Sequence, residues 1–122
     1  MGNLGISEIL EKEQLETLIA SAGVDVTRAI VDALTQSNAE LLQALSAALT
    51  QNDLCTAAST AHAMKGSSAN LGAVLLASRA KQIEFASKAG NLAEALEAMA
   101  LFEGDIAATN QAFAEFLNAE AA

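Results

Sequence analysis

The stretch from Gly23 to Asp53, GVDVTRAIVDALTQSNAELLQALSAALTQND, decides the fold class. Apolar residues recur at Val26, Ile30, Leu34, Leu41, Leu45 and Leu49. At about 3.6 residues per turn this holds one face apolar for about seven turns. The polar run TQSN at 35–38 is locally unfavourable, but the apolar phase resumes unchanged after it, so the spacing predicts one long helix rather than two. Upstream, EKEQLETLIASAG places Leu15, Leu18 and Ile19 at helical spacing before Gly23, a short helix closed by a residue that tolerates positive φ. The first ten residues carry two glycines and no sustained helical period, and predict no further element.

Downstream, Asn52 and Asp53 supply side-chain oxygens for a helix start, followed by Leu54, Ala57, Ala61, Met64, Ser68 and Leu71 on one face. That helix runs to about Asn70, with Gly72 marking its end. The next carries Leu76, Ala80, Ile83 and Ser87 inward and ends at Gly90. Asn91 with Glu94 three residues on resembles a capping box for a last helix, with Leu92, Leu96, Met99, Phe102, Ile106, Phe113 and Leu117 as its apolar set. Connections this short between long helices predict an all-α, antiparallel up-down four-helix bundle with one short extra N-terminal helix, residues 1–122 forming a single domain.

Composition agrees. Hydrophobic residues make up 52% of 122, yet there is no Trp, no Tyr and no Pro and only four Phe, which describes closely packed aliphatic helices without interruptions. A net charge of −9 and a pI near 4.3 argue against nucleic acid, whose binding needs clustered Lys and Arg. No segment reaches the roughly 18 apolar residues of a membrane span, and MGNLGISEIL lacks the basic region and long apolar run of a signal peptide. The expected compartment is the cytoplasm, which the single Cys55, unable to form an internal disulfide, also fits.

Chemistry rests on the one histidine, His62, within AHAMKGSSANLGA at 61–73. One position on from Ala61, it is turned about 100° from the inner face and should reach solvent. Its helical neighbours Cys55, Ala58, Ser59, Gly66 and Ala69 are all small, and Lys65 is the exception. Glycine inside a helix costs about 1 kcal/mol relative to Ala, so Gly66, one turn from His62, needs an offsetting reason. Room for another molecule's backbone beside the ring supplies one. Lys65 can set an ammonium beside a phosphoryl group on the imidazole, and an imidazole nitrogen is a competent nucleophile toward phosphorus. The plainer readings, a solvated surface histidine, a packing glycine and a solvated lysine, stay open on spacing alone.

The same stretch resembles the signature of the histidine-containing phosphotransfer (HPt) domain of multistep phosphorelays. The likeness continues on the following helix through Leu76, Ala80, Ile83, Glu84 and the basic Lys88, and upstream through the long helix, covering about residues 9–118. It implies that His62 accepts the phosphoryl group, that Lys65 is a charge near the phosphate, that Gly66 is clearance for an incoming receiver domain, and that Glu84 and Lys88 lie beside the histidine. Glu84 then either orients the imidazole or forms an ordinary surface pair with Lys88. The implied partners are receiver domains of response regulators or of a hybrid sensor kinase. No cofactor is implied, any Mg2+ belonging to the receiver, and the expected state is a monomer.

The small stripe around His62 predicts a partner face made of Cys55, Ala58, Ser59 and Ala69 with Lys81, Glu84 and Lys88. Two departures from the family pattern bear on docking: Ala33 and Leu34 stand where a bulky aromatic is often found, and position 88 is Lys where Arg is common, which keeps the charge but loses the bidentate fork. SSANLGA is more similar to relay modules than to the chemotaxis-kinase version. Two other functions compete. The phosphoacceptor part of a sensor kinase is disfavoured by Ala63, where an acid usually follows the histidine, and by the lack of a glycine-rich nucleotide loop. A non-catalytic acidic scaffold leaves the histidine without a role.

Overall fold

The computed structural model describes residues 5–121, so the leader reading of MGNL lies outside the described residues. Six helices follow in order: α1 Ile6–Ile9, α2 Glu13–Ala22, α3 Val24–Thr50, α4 Leu54–Asn70, α5 Val74–Lys88 and α6 Leu92–Ala121. α3 packs on α4, α4 on α5, α5 on α6 and α6 back on α3, closing a ring of four. Three residues link each consecutive pair in that ring, which leaves room only for a reversal of direction. α2 lies on α3, while α1 touches α5 and α6. The N-terminal region therefore holds two short helices rather than the one expected; α1 is a single turn, too short to show a period, and Glu8 closes it by accepting the Gly5 N–H at 2.9 Å.

Caps set the helix ends. The Asp53 carboxylate accepts the Thr56 N–H at 3.1 Å, and hydrogen bonding from Thr56, by its side chain first and its N–H second, holds the Asp53 pKa below the usual carboxylate value. Asn91 accepts the Glu94 N–H at 3.1 Å and donates its amide to the Glu94 carboxylate at 3.0 Å, a side-chain variant of the expected box. α3 passes through TQSN unbroken. The Thr35 hydroxyl donates to the Val31 carbonyl at 3.1 Å, whereas Asn38 is buried with its side-chain oxygen unpartnered, a cost the apolar phase on either side outweighs.

α3 is rotated from its expected phase at its N-terminal half. Thr27, Val31 and Leu34 face inward, while Val26 and Ile30 are exposed. Thr27 can be buried because its hydroxyl donates to the Gly23 carbonyl at 2.8 Å, so a polar residue fills an inner position at no hydrogen-bond cost. Leu96 of α6 is likewise exposed, its place inside taken by Ala95 and Ala98. The rest of the expected set packs inward or at the core's edge, and Phe102, Phe113 and the unanticipated Phe116 are the core's largest side chains among Leu, Ile, Met and Ala.

Gly72, in the α4–α5 turn, ties the N-terminal segment to the bundle. Its carbonyl accepts the Glu11 N–H at 2.7 Å, its φ is +75°, and a Cβ there would run into the Glu11 carbonyl oxygen. Gly72→Ala is expected to cost about 2 kcal/mol or more, through the left-handed backbone and the displaced segment. Urea unfolding measures it, and an unchanged midpoint would remove the argument.

Candidate functional site

His62 projects from the middle of α4, its side chain 66% exposed. Behind it, on α5, the Glu84 side chain is 2% exposed and its Oε2 accepts a hydrogen bond from His62 Nδ1 at 2.9 Å. The Lys65 ammonium lies 2.8 Å from Oε1 and the Lys88 ammonium 2.8 Å from Oε2. One buried carboxylate thus gathers groups from both helices. The small side chains of Ala57, Ala61 and Ala80, all fully buried, let α4 and α5 approach closely enough for residues 22 apart in sequence to bond.

A carboxylate taken out of water must find compensating charge or take up a proton. Here the Lys65 ammonium, then that of Lys88, outweigh burial, and the imidazole N–H adds to them, so that the Glu84 pKa falls to about 2 from an ordinary 4.5. Because the folded-state pKa is depressed, the stabilisation is complete above about 4.5 and is lost as pH falls toward about 2. Between about pH 6 and about pH 3 the wild type should lose more stability in urea than Glu84→Gln does. Equal losses would mean that the carboxylate is not held ionised.

The hydrogen bond also assigns the ring. With Nδ1–H donating to an ionised carboxylate, the neutral imidazole keeps its lone pair on Nε2. Gly66, one turn along, is exposed, and a Cβ built on it meets no atom within 4 Å.

Alongside the imidazole runs a groove of about 570 Å³, with Leu54, Cys55, Ala58 and Ser59 on one wall and Glu84, Ser87 and Lys88 on the other. Of the residues expected to face a partner, Cys55, Ala58 and Ser59 line it, Ala58 from its floor at 8% exposure. Ala69 and Lys81 do not. Ala69 is exposed outside the groove, and the Lys81 ammonium sits 5.5 Å from the centre of the Phe85 ring. Leu54 and Ser87 escaped sequence reasoning because they lie at the seam where the inner faces of α4 and α5 turn outward. Phe85, 55% exposed, lies outside the groove, as its position off the Leu76, Ala80, Ile83, Ser87 stripe allows.

A nucleophilic ring nitrogen held outward by a buried acid, with two ammoniums within reach, suits phosphoryl uptake. The family model described as Hpt domain matches residues 29–116. The chain belongs to the Hpt family. Hpt domains are the histidine phosphotransfer modules of phosphorelays, and that role follows for this chain. The Hpt chain is similar to the crystal structure of histidine-containing phosphotransfer protein B from Pseudomonas aeruginosa PAO1, with 30% identity, a TM-score of 0.83, and coverage of 89% of this chain and 94% of that one. No curated protein sequence matches it significantly. Among the described residues of this Hpt domain, no helix is long and apolar enough to cross a membrane, and no three His, Cys, Asp or Glu side chains cluster as a metal site.

Proposed function

We propose that His62 is the phospho-accepting residue and that its Nε2 takes the phosphoryl group from the aspartyl phosphate of a receiver domain. The observation that carries this reading is the 2.9 Å bond from Nδ1 to the buried Glu84 carboxylate, which leaves the outward nitrogen as the nucleophile. The Nε2 lone pair attacks phosphorus, the bond from phosphorus to the aspartate oxygen breaks, and the aspartate leaves as carboxylate. Nε2 has no proton to lose. The ring gains positive character as it bonds phosphorus, and Glu84 on Nδ1–H balances that charge.

Lys65 and Lys88 both rest on Glu84, and each ammonium has three N–H donors, so each retains donors for a phosphoryl oxygen. Lys88, the more exposed at 62% against 29%, has the greater freedom to move. The groove beside His62 and the open space at Gly66 form the receiver's footprint, with Cys55, Ala58 and Ser59 in contact. The chain is a carrier without autokinase activity, and the Mg2+ of aspartyl-phosphate chemistry comes with the receiver. The same reading makes the protein a cytoplasmic monomer serving receiver domains of response regulators or of a hybrid sensor kinase.

The test is a phosphotransfer profile against the receiver domains of the host. Label should arrive from at least one phosphorylated receiver and be acid-labile, as a phosphorus–nitrogen bond is. ATP alone should leave the chain unlabelled. Robust labelling by ATP would replace the carrier with a kinase.

A further inference from the structure

Cys55 is exposed and free, and it lines the groove that runs to His62. Across the groove, Ser87 is 4% exposed and its hydroxyl has no hydrogen-bond partner. A buried polar group without a partner costs stability, and a ligand's polar atom entering between the walls would satisfy it. The Lys88 ammonium stands at the rim, a positive charge in a chain of net charge −9, and so favours an anionic ligand. A groove of about 570 Å³ is the size of a small-molecule site rather than of a single water.

We propose that Cys55 is a site of reversible thiolation by an anionic low-molecular-weight disulfide, and that the adduct closes the docking face beside His62. The gating rests on the phosphoacceptor reading above. In the step, the Cys55 thiolate attacks one sulfur of the disulfide, a mixed disulfide forms, and the original S–S bond breaks. The other half leaves as thiolate, so Cys55 is oxidised as the leaving half is reduced, and the cysteine proton goes to solvent. A thiol in the reduced form reverses it. The adduct fills the space that the receiver needs, and transfer stops although His62 is untouched.

The experiment uses the full chain, reduced and then exposed to glutathione disulfide at about pH 8. Intact mass should show one adduct. Transfer from the receiver that reacts fastest with the reduced protein should slow by about a hundredfold, since misplacement by even an ångström costs that much, and dithiothreitol should restore it. Cys55→Ser should take no adduct, and its own transfer rate should not respond to the disulfide. Ser87→Ala should gain the adduct several-fold more slowly. Absence of an adduct, an adduct with unchanged transfer, or thiolation of Ser87→Ala at the wild-type rate would each overturn the proposal. An untreated protein that takes no label overturns the phosphoacceptor reading, and the gating with it, in an arm separate from the mass measurement.

Discussion

His62→Gln is expected to reduce phosphoryl uptake from a phosphorylated receiver to background while leaving the bundle folded. Gln offers an amide in place of a basic nitrogen, and the chain contains no second histidine to replace it. The fold should not notice. The ring is 66% exposed, so little apolar area is lost, and Glu84 keeps both ammoniums after the imidazole is gone. Stability should therefore stay within about 0.5 kcal/mol, the usual range for surface changes. Far-UV circular dichroism and urea unfolding check the fold, and transfer of radiolabel checks the chemistry. Uptake by the variant at the wild-type rate would sink the assignment of His62.

Gly66→Gln should separate stability from transfer in opposite directions. The open space at Gly66 means that a Cβ there meets nothing beyond its own helix in the isolated protein, and replacing a mid-helix glycine gains up to about 1 kcal/mol. Side chains on a helix lean toward its N-terminus, so a Gln at 66 lies back over the turn that carries His62. Transfer should fall by about a hundredfold, because the incoming aspartyl phosphate can no longer align with Nε2. Gly66→Ala, which adds only a methyl into open space, should keep most of the rate and nearly the whole gain in stability. A Gln variant that transfers as fast as wild type would leave the glycine as an accident of packing.

These two substitutions act on residues that could be singled out before any coordinates, whereas Glu84 could not be settled so early. Sequence left it as either an orienting acid or a surface partner of Lys88. The structure makes it both a ligand of the imidazole and a partner of Lys88, and adds Lys65 as the first cause of its low pKa. Lys65, expected to point at the phosphate, is drawn to the same carboxylate, because a buried negative charge attracts the nearest flexible cation. The partner face divided in the same way. Cys55, Ala58 and Ser59, on the turns before His62, line the groove with it, whereas Ala69, two turns beyond, and Lys81, beside the Phe85 ring, do not.

What the sequence by itself determined was local: the ends of α3 to α5, the start of α6, the short turns between them, and the outward phase of His62 and Gly66. Caps, glycines and a 3.6-residue period act within a turn or two of the chain, so they can be read without knowing what packs against what. The tertiary structure decided which of two adjacent residues faces inward on α3, where Thr27 and Val31 displace Val26 and Ile30, and it decided that the N-terminal segment docks on Gly72. It also decided the charge state of the site. Glu84 lies 22 residues from His62 and 19 from Lys65, and only the close approach of α4 and α5 over their buried alanines brings the exposed imidazole and the lysine onto a carboxylate held away from water. The strength of that meeting depends on distance and solvent exclusion, which no periodicity within a single helix can encode.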